Sequence, residues 1–261
     1  MYRVTRAARH VVVSHKGGSG KTTVAVNVAG AWAAAGRRVL VVDADSQGAA
    51  GRALGLRRPA KPTLAEVLAG TPAVQAIRLT ETPGLYVLPA DLDVSAVELD
   101  LVHRNDWRTT LHRALEELPD DFDAIVIDTL PGLGVVPFLG LVAADHVLVT
   151  CQPDYLSWSV LESVVQVAAR AGQLGGGRAE LLGIVPTMVG PRTNVQTEVL
   201  ELMTERYGPQ LLPEVPRRVV VQQAAIAGQP LATYAPGSSV AAVFTALAEE
   251  VHRRGQATQH P

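Results

Sequence analysis

The sequence has a single cysteine, three lysines among 23 basic residues, and few aromatics: three Trp, five Tyr and three Phe in 261 residues. One cysteine, Cys151, cannot close an internal disulfide or supply the thiolate set of a zinc or iron–sulfur site. No 18-residue stretch is free of charged or polar interruption. Asp145 and His146 break 138–151, and Asn27 breaks 24–36, which excludes a membrane-spanning helix. The apolar run Val11–Val13 is too short for a signal-peptide core. Internal repeats and low-complexity segments are missing too. Charged residues make up 18%, under the ~25% of ordinary soluble domains, and hydrophobic residues 48%. That balance excludes disorder and predicts some apolar surface covered by a partner. The expectation is a soluble, cytoplasmic chain.

A chain of this length buries ~75% of its unfolded surface and needs no staple. Alternating apolar runs and helical stretches predict one α/β domain, a mostly parallel twisted sheet flanked by helices on both faces, over residues 1–254. Strands are expected at His10–Ser14, Arg38–Val42, Leu85–Leu88, Ala124–Ile127, His146–Thr150 and Leu181–Val185. Their Val, Ile and Leu runs do not alternate with polar residues, as in strands covered on both sides. Helices are expected at 21–35, 94–104, 107–118, 157–171, 195–206, 219–227 and 239–254, with Gly172, Gly208 and Gly228 as C-terminal caps. Gly175–Gly177 reads as a connector, and 255–261, lacking an apolar pattern, as a frayed tail.

Charge is unevenly distributed. Residues 1–58 hold 10 basic and 2 acidic side chains, 59–128 hold 5 and 13, and 129–261 hold 8 and 10. The formal net charge of −2 therefore says nothing against a local anion site. Of the lysines at 16, 21 and 61, two fall five residues apart in one Gly-rich segment. There a slim ammonium does what a guanidinium fork would not.

That segment is Lys16-Gly17-Gly18-Ser19-Gly20-Lys21-Thr22-Thr23, after the first strand and before a helix. Glycines let successive N–H groups curl toward phosphate oxygens, and the helix N-terminus adds positive potential at the same point. Lys21 is placed to reach the β- and γ-phosphates and Thr22 to ligate Mg²⁺. His15 stands where the common phosphate-loop pattern has Gly, and Lys16 is an additional cation. Magnesium also needs carboxylates, expected at strand ends. Val39 to Asp45 ends in Asp43 and Asp45, and Ala124 to Asp128 ends in one acid, Asp128. The seven histidines form no catalytic constellation.

With its additional Lys16, the segment 16–23 resembles the deviant Walker A box of the ParA/MinD superfamily of partition and positioning ATPases. Val42-Asp43-Ala44-Asp45-Ser46-Gln47-Gly48 is similar to that family's second box, with Ser46 where Pro is usual. Phe122 to Thr129 resembles its Walker B strand, with Asp128 as the acid. Asp145 to Val149, Arg192-Thr193-Asn194 and Pro216 to Ser238 extend the resemblance over roughly residues 9–252. It implies an ATP- and Mg²⁺-dependent homodimer with nucleotide sandwiched between the subunits. Lys16 would reach the partner's nucleotide, while Lys21 serves its own. Gly17, Gly18, Ser19, Gly20, Thr22 and Thr23 would contact phosphate or metal. Asp43 would support Mg²⁺, Asp45 would orient the attacking water, and Pro216 and Arg218 would lie near the adenine.

For the ParA branch the resemblance further implies nonspecific DNA binding through Arg192, Arg217 and Arg218, with Arg170 and Arg178 behind them. It also implies a ParB-like or other adaptor, and a cytoplasmic, nucleoid-associated location for segregating chromosome or plasmid DNA. The tail from Val251 has no apolar stripe, against a MinD-type membrane anchor. Roughly nine residues before the first strand leave no room for a helix-turn-helix domain, so operator-specific repression is not expected. Departures are Leu130 in the usual double-proline position after Asp128, Cys151 in place of a common Pro, and Val220 and Gln223 where Arg and an acid are frequent. The alternatives are a MinD/McdA-like ATPase positioning a protein cargo, and a P-loop ligase acting on a small molecule.

Overall fold

Why the strand runs are apolar without alternation is visible in their packing. In the computed structural model, which describes residues 6–174, 179–191 and 193–258, they build a seven-stranded sheet in the order β3-β4-β2-β5-β1-β6-β7. The strands are β1 Ala8–Val13, β2 Val39–Ala44, β3 Arg78–Leu79, β4 Leu85–Leu88, β5 Ala124–Thr129, β6 His146–Cys151 and β7 Glu180–Pro186. All pairings are parallel except the short β3 against β4. Val11 and Val13 face one core and Val12 the other, so a strand covered on both sides has no solvent face to mark with polar residues.

The helices divide between the two faces. On one lie α1 Lys21–Ala34, α2 Ala49–Ala53, α10 Val219–Ala227, α11 Leu231–Tyr234 and α12 Ser239–Thr258. On the other lie α3 Leu64–Ala69, α4 Ala73–Ala76, α5 Asp93–Leu101, α6 Thr110–Glu116, α7 Val135–Ala143, α8 Tyr155–Leu174 and α9 Asn194–Tyr207. Helix α1 is wrapped by the sheet, α11 and α12, and most of its residues are buried. The polar residue that interrupts its run is structural. Asn27 donates to the Thr23 carbonyl (2.9 Å) and accepts the Leu231 N–H (2.7 Å), fastening α11 to α1.

Several expectations need correction. Helix α12 continues to Thr258, past the tail expected to fray from 255. Gly255 packs against the His146 ring, and Thr258 shares a 2.9 Å hydrogen bond with His146 Nε2. Gly172 lies within α8, which runs to Leu174, and Gly208 leads into a 3-10 turn with φ −43°; Gly228 is the left-handed cap, φ 74°. Helices α2, α3, α4, α7 and α11 were not foreseen. Four are of six residues or fewer, and α7 is apolar on all sides and carries Pro137 and Gly140, so it has no amphipathic period to read. Gly140 lets α7 approach the sheet, since a Cβ there would meet Thr129 and Val11 at 3.1 and 3.2 Å. The connector 175–177, Arg178, Arg192 and residues 259–261 lie outside the described residues.

Helix α1 offers a direct test of this packing. A Cβ on Gly30 would stand 2.3 Å from Pro230 Cβ, a rigid neighbour. Gly30→Ala gains helix propensity but is expected to lower stability by a net ~1–3 kcal/mol through overpacking. A urea midpoint unchanged or raised in the variant would refute the packing.

Candidate functional site

Parallel strands bring their C-terminal ends to one edge, and the site forms there from four loops. The loop after β1 runs from Ser14 to Gly20. Gly18 and Gly20 have φ of 72° and 83°, a region that side-chain-bearing residues rarely adopt. Gly20 opens α1 with no side-chain cap and no acidic residue in the first turn. The first N–H groups of the helix therefore point at the crevice without a competing acceptor, as an anion site requires.

The neighbouring strand ends hold this loop in place. Ser19 Oγ and Thr150 Oγ1 are 3.0 Å apart, Thr187 Oγ1 donates to the Ser19 carbonyl (2.7 Å), and Gln152 Nε2 donates to the Gly18 carbonyl (2.9 Å). Sequence reasoning missed Thr150, Gln152 and Thr187. The available signal was their position at the ends of β6, which pairs with β1, and of β7, the next strand out.

Asp43 and Asp128 are direct neighbours across β2 and β5, and both side chains are fully buried. Asp43 accepts N–H groups from Asp45 (3.1 Å) and Gly51 (2.8 Å). Asp43 was expected to support Mg²⁺; each of its oxygens takes one backbone N–H, because the chain folds back over it into α2. Asp128 differs: neither oxygen has a hydrogen-bond partner of regular geometry. Burial pushes its carboxyl up to about 7, against the pull of the Thr22 hydroxyl and the Lys21 ammonium. Burial, and then Asp128, push Asp43 well above the carboxylate range. Burial lowers Lys21, while Asp128 and Asp45 oppose that shift. Asp45 is buried and accepts the Gln47 N–H at 2.8 Å.

An orphaned carboxylate beside Thr22, Lys21 and the uncapped helix start fits a Mg²⁺-bound polyphosphate. Among the described residues no group of three or more His, Cys, Asp or Glu is arranged to hold a metal by itself. Magnesium commonly binds through one or two carboxylates plus phosphate oxygens, the donor set available here.

Lys16 stands apart from Lys21. Its ammonium pairs with Asp154 Oδ2 at 3.0 Å and Gln152 Oε1 at 3.3 Å, and its side chain is 42% exposed. A cleft of about 510 Å³ opens beside Gly18, Gly20 and Thr23, and its far wall carries Pro216, Arg217 and Arg218. Thus Pro216 and Arg218 do lie across from the phosphate loop. Arg217, expected only on a DNA surface, shares the cleft wall, and both arginines are exposed.

A family model described as an AAA domain (AAA_31) matches residues 8–173. The chain is 35% identical to the chromosome partitioning protein ParA of Caulobacter vibrioides over 248 residues, 93% of each chain. It belongs to the ParA/MinD superfamily of ATPases. The cell division ATPase MinD of Pyrococcus furiosus superposes with a TM-score of 0.79 at 29% identity, covering 95% of this chain and 99% of that one. A cobyrinic acid a,c-diamide synthase of Mycobacterium smegmatis, solved with an ATP analogue and magnesium, superposes with a TM-score of 0.81 at 30% identity, covering 97% of each. Among the described residues of this ATPase no helix is long and apolar enough to cross a membrane.

The Asp128 environment gives a pH signature. The folded chain holds this proton up to about pH 7, whereas an unfolded aspartate releases it near ~3.9. Without metal, the group therefore draws stability away as pH rises from ~4 to ~7, with no further loss above. Asp128→Asn in a chelator is expected to raise unfolding free energy by up to ~4 kcal/mol at pH 8 and by about half that at pH 5.5. Equal effects at both pH values, from urea titrations, would contradict the burial of an unpaired carboxyl.

Proposed function

We propose that this ATPase is of the ParA partition type. Two copies join face to face around Mg-ATP, and the dimer binds double-stranded DNA without sequence preference. Hydrolysis, slow until a ParB-like adaptor stimulates it, releases the dimer and so segregates chromosome or plasmid DNA. The chain would act in the cytoplasm on the nucleoid.

The observation that carries this reading is the division between two lysines of one loop. Lys21 is buried near Asp128, where it serves the nucleotide of its own chain, while Lys16 is half-exposed at the rim. An enzyme acting alone on a small substrate has no need of a second ammonium facing outward. A dimer that brings two polyphosphates together needs cations shared across the seam.

In that assembly Thr22 and Asp128 hold Mg²⁺. The N–H groups of Gly17 to Thr23 hold the phosphates, and Asp45 orients the attacking water. Lys16 and Lys21 neutralise charge on the transferred phosphoryl group. Asp43 acts one step back, fixing the chain that carries Asp45. Pro216 and Arg218 line the base end of the cleft. For DNA the exposed cations are Arg217, Arg218 and Arg170, together with Arg192, whose contribution rests on sequence alone.

The test is duplex-DNA electrophoresis with ATP, ADP or no nucleotide. Asp45→Ala holds the ATP state and Lys16→Ala blocks the dimer. Binding is expected only with ATP, should be lost in Lys16→Ala, and should weaken about 10- to 100-fold between 50 and 200 mM salt if a few phosphates are neutralised. No binding in any state would sink the DNA reading and favour a positioning ATPase on another surface or a small-molecule ligase.

A further inference from the structure

Asp154 follows β6 and immediately precedes α8, and it makes contacts of two kinds. Its Oδ1 accepts the Ser157 N–H at 2.9 Å, and its Oδ2 accepts both the Ser157 hydroxyl and the Lys16 ammonium at 3.0 Å. Gln152 sits between the two ends of the contact. Its carbonyl oxygen takes Lys16 while its amide donates to Gly18, so the captured lysine is tied to the phosphate loop itself. Against the upward push of partial burial, the Ser157 amide and Lys16 hold the Asp154 carboxyl below the ordinary carboxylate range. At the same rim Tyr155 and Leu156 stand 70% and 71% exposed, large side chains left largely open by the described residues.

We propose that Asp154, with Gln152, is a positioning latch that holds Lys16 within its own subunit and must release it before the lysine can serve a second copy. The inference rests on the dimer reading given above. A carboxylate oxygen 3.0 Å from the ammonium occupies the place a phosphate oxygen would take, so the two compete for one cation. Both partners are partly exposed, 42% and 34%, which makes the pair weak enough to exchange. The geometry couples exchange to docking, because Asp154 is the residue before Tyr155 and Leu156. A second copy that covers those side chains meets the latch at the same time.

Asp154→Asn is the informative variant, since Asn retains the capping geometry at the start of α8 and removes only the charge. Two readouts separate the latch from the dimer reading. The first is labelling of lysines by an amine-reactive ester in nucleotide-free protein, mapped by mass spectrometry. Lys61, enclosed by Glu66, Asp91 and Asp93, is the internal reference. The second is the ATP-dependent monomer–dimer equilibrium by sedimentation in an Asp45→Ala background.

Lys16 labelling is expected to rise about 2- to 5-fold relative to Lys61 in Asp154→Asn, with dimerisation tightened by a similar factor. Asp154→Glu should restore slow labelling. Unchanged labelling overturns the latch, whatever dimerisation does. Faster labelling with unchanged or weaker dimerisation overturns its restraining role. A parent protein that stays monomeric in ATP refutes the dimer reading and the restraint with it, while the labelling result still decides whether the latch exists.

Discussion

Two buried carboxylates, Asp43 and Asp128, stand side by side on adjacent strands, and the rest of the site is arranged around that unfavourable pair. Like charges in a dry interior cannot both ionise without compensation. The fold treats them differently. Asp43 receives two backbone amides from the chain that folds over it, which fixes Asp45 and the start of α2. Asp128 receives no regular hydrogen bond and keeps its oxygens available, with Lys21 and Thr22 as neighbours. Each oxygen of one acid is held by backbone, and the oxygens of the other lack a regular partner. The phosphate loop lies next to the second, since β1 places Val12 beside Asp128 and the loop leaves β1 directly after Val13.

The parallel sheet supplies the remainder. Only with β6 and β7 ending at the same edge as β1 can Thr150, Gln152 and Thr187 grip the backbone of a Gly-rich loop that would otherwise have few contacts of its own. These contacts use carbonyls and hydroxyls and leave the amides of the α1 N-terminus facing the crevice. The loop is thereby held rigid without the groups that would bind phosphate being consumed.

The sequence made the loop, the acids and the sheet legible for a common reason: each depends on residues contiguous in the chain. Lys16 to Thr23 carry their own conformation, and strands buried on both faces announce themselves as unbroken Val, Leu and Ile runs. What escaped depends on contacts between distant segments. The role of Asp43 is set by Gly51, eight residues on and through a turn that no pattern marks. Helix α12 keeps its last turn because His146 packs against it from another strand, so local composition at 255–258 suggested fraying where tertiary contact imposes order. Asp154 looks like a turn residue until β6 sets it opposite Lys16. Helix α7, apolar all round, lacks periodicity for the same reason that it is stable, being enclosed between the sheet and its neighbours.

The two lysines of the loop also differ in what holds them, and that difference orders events at the site. Lys21 is buried at the foot of the loop, its ammonium 3.5 Å from the Lys16 carbonyl and in the field of Asp128 and Asp45. It stays where it is. Lys16 is bound to groups that water already reaches, and exposed ion pairs hold ~1 kcal/mol or less. Any polyphosphate brought to the rim, with its larger charge, out-competes such a partner. The chain therefore carries one fixed cation and one transferable cation in the same eight residues. Using lysine for both is consistent with that division, because a compact ammonium exchanges one oxygen for another without the paired geometry that a guanidinium would have to break.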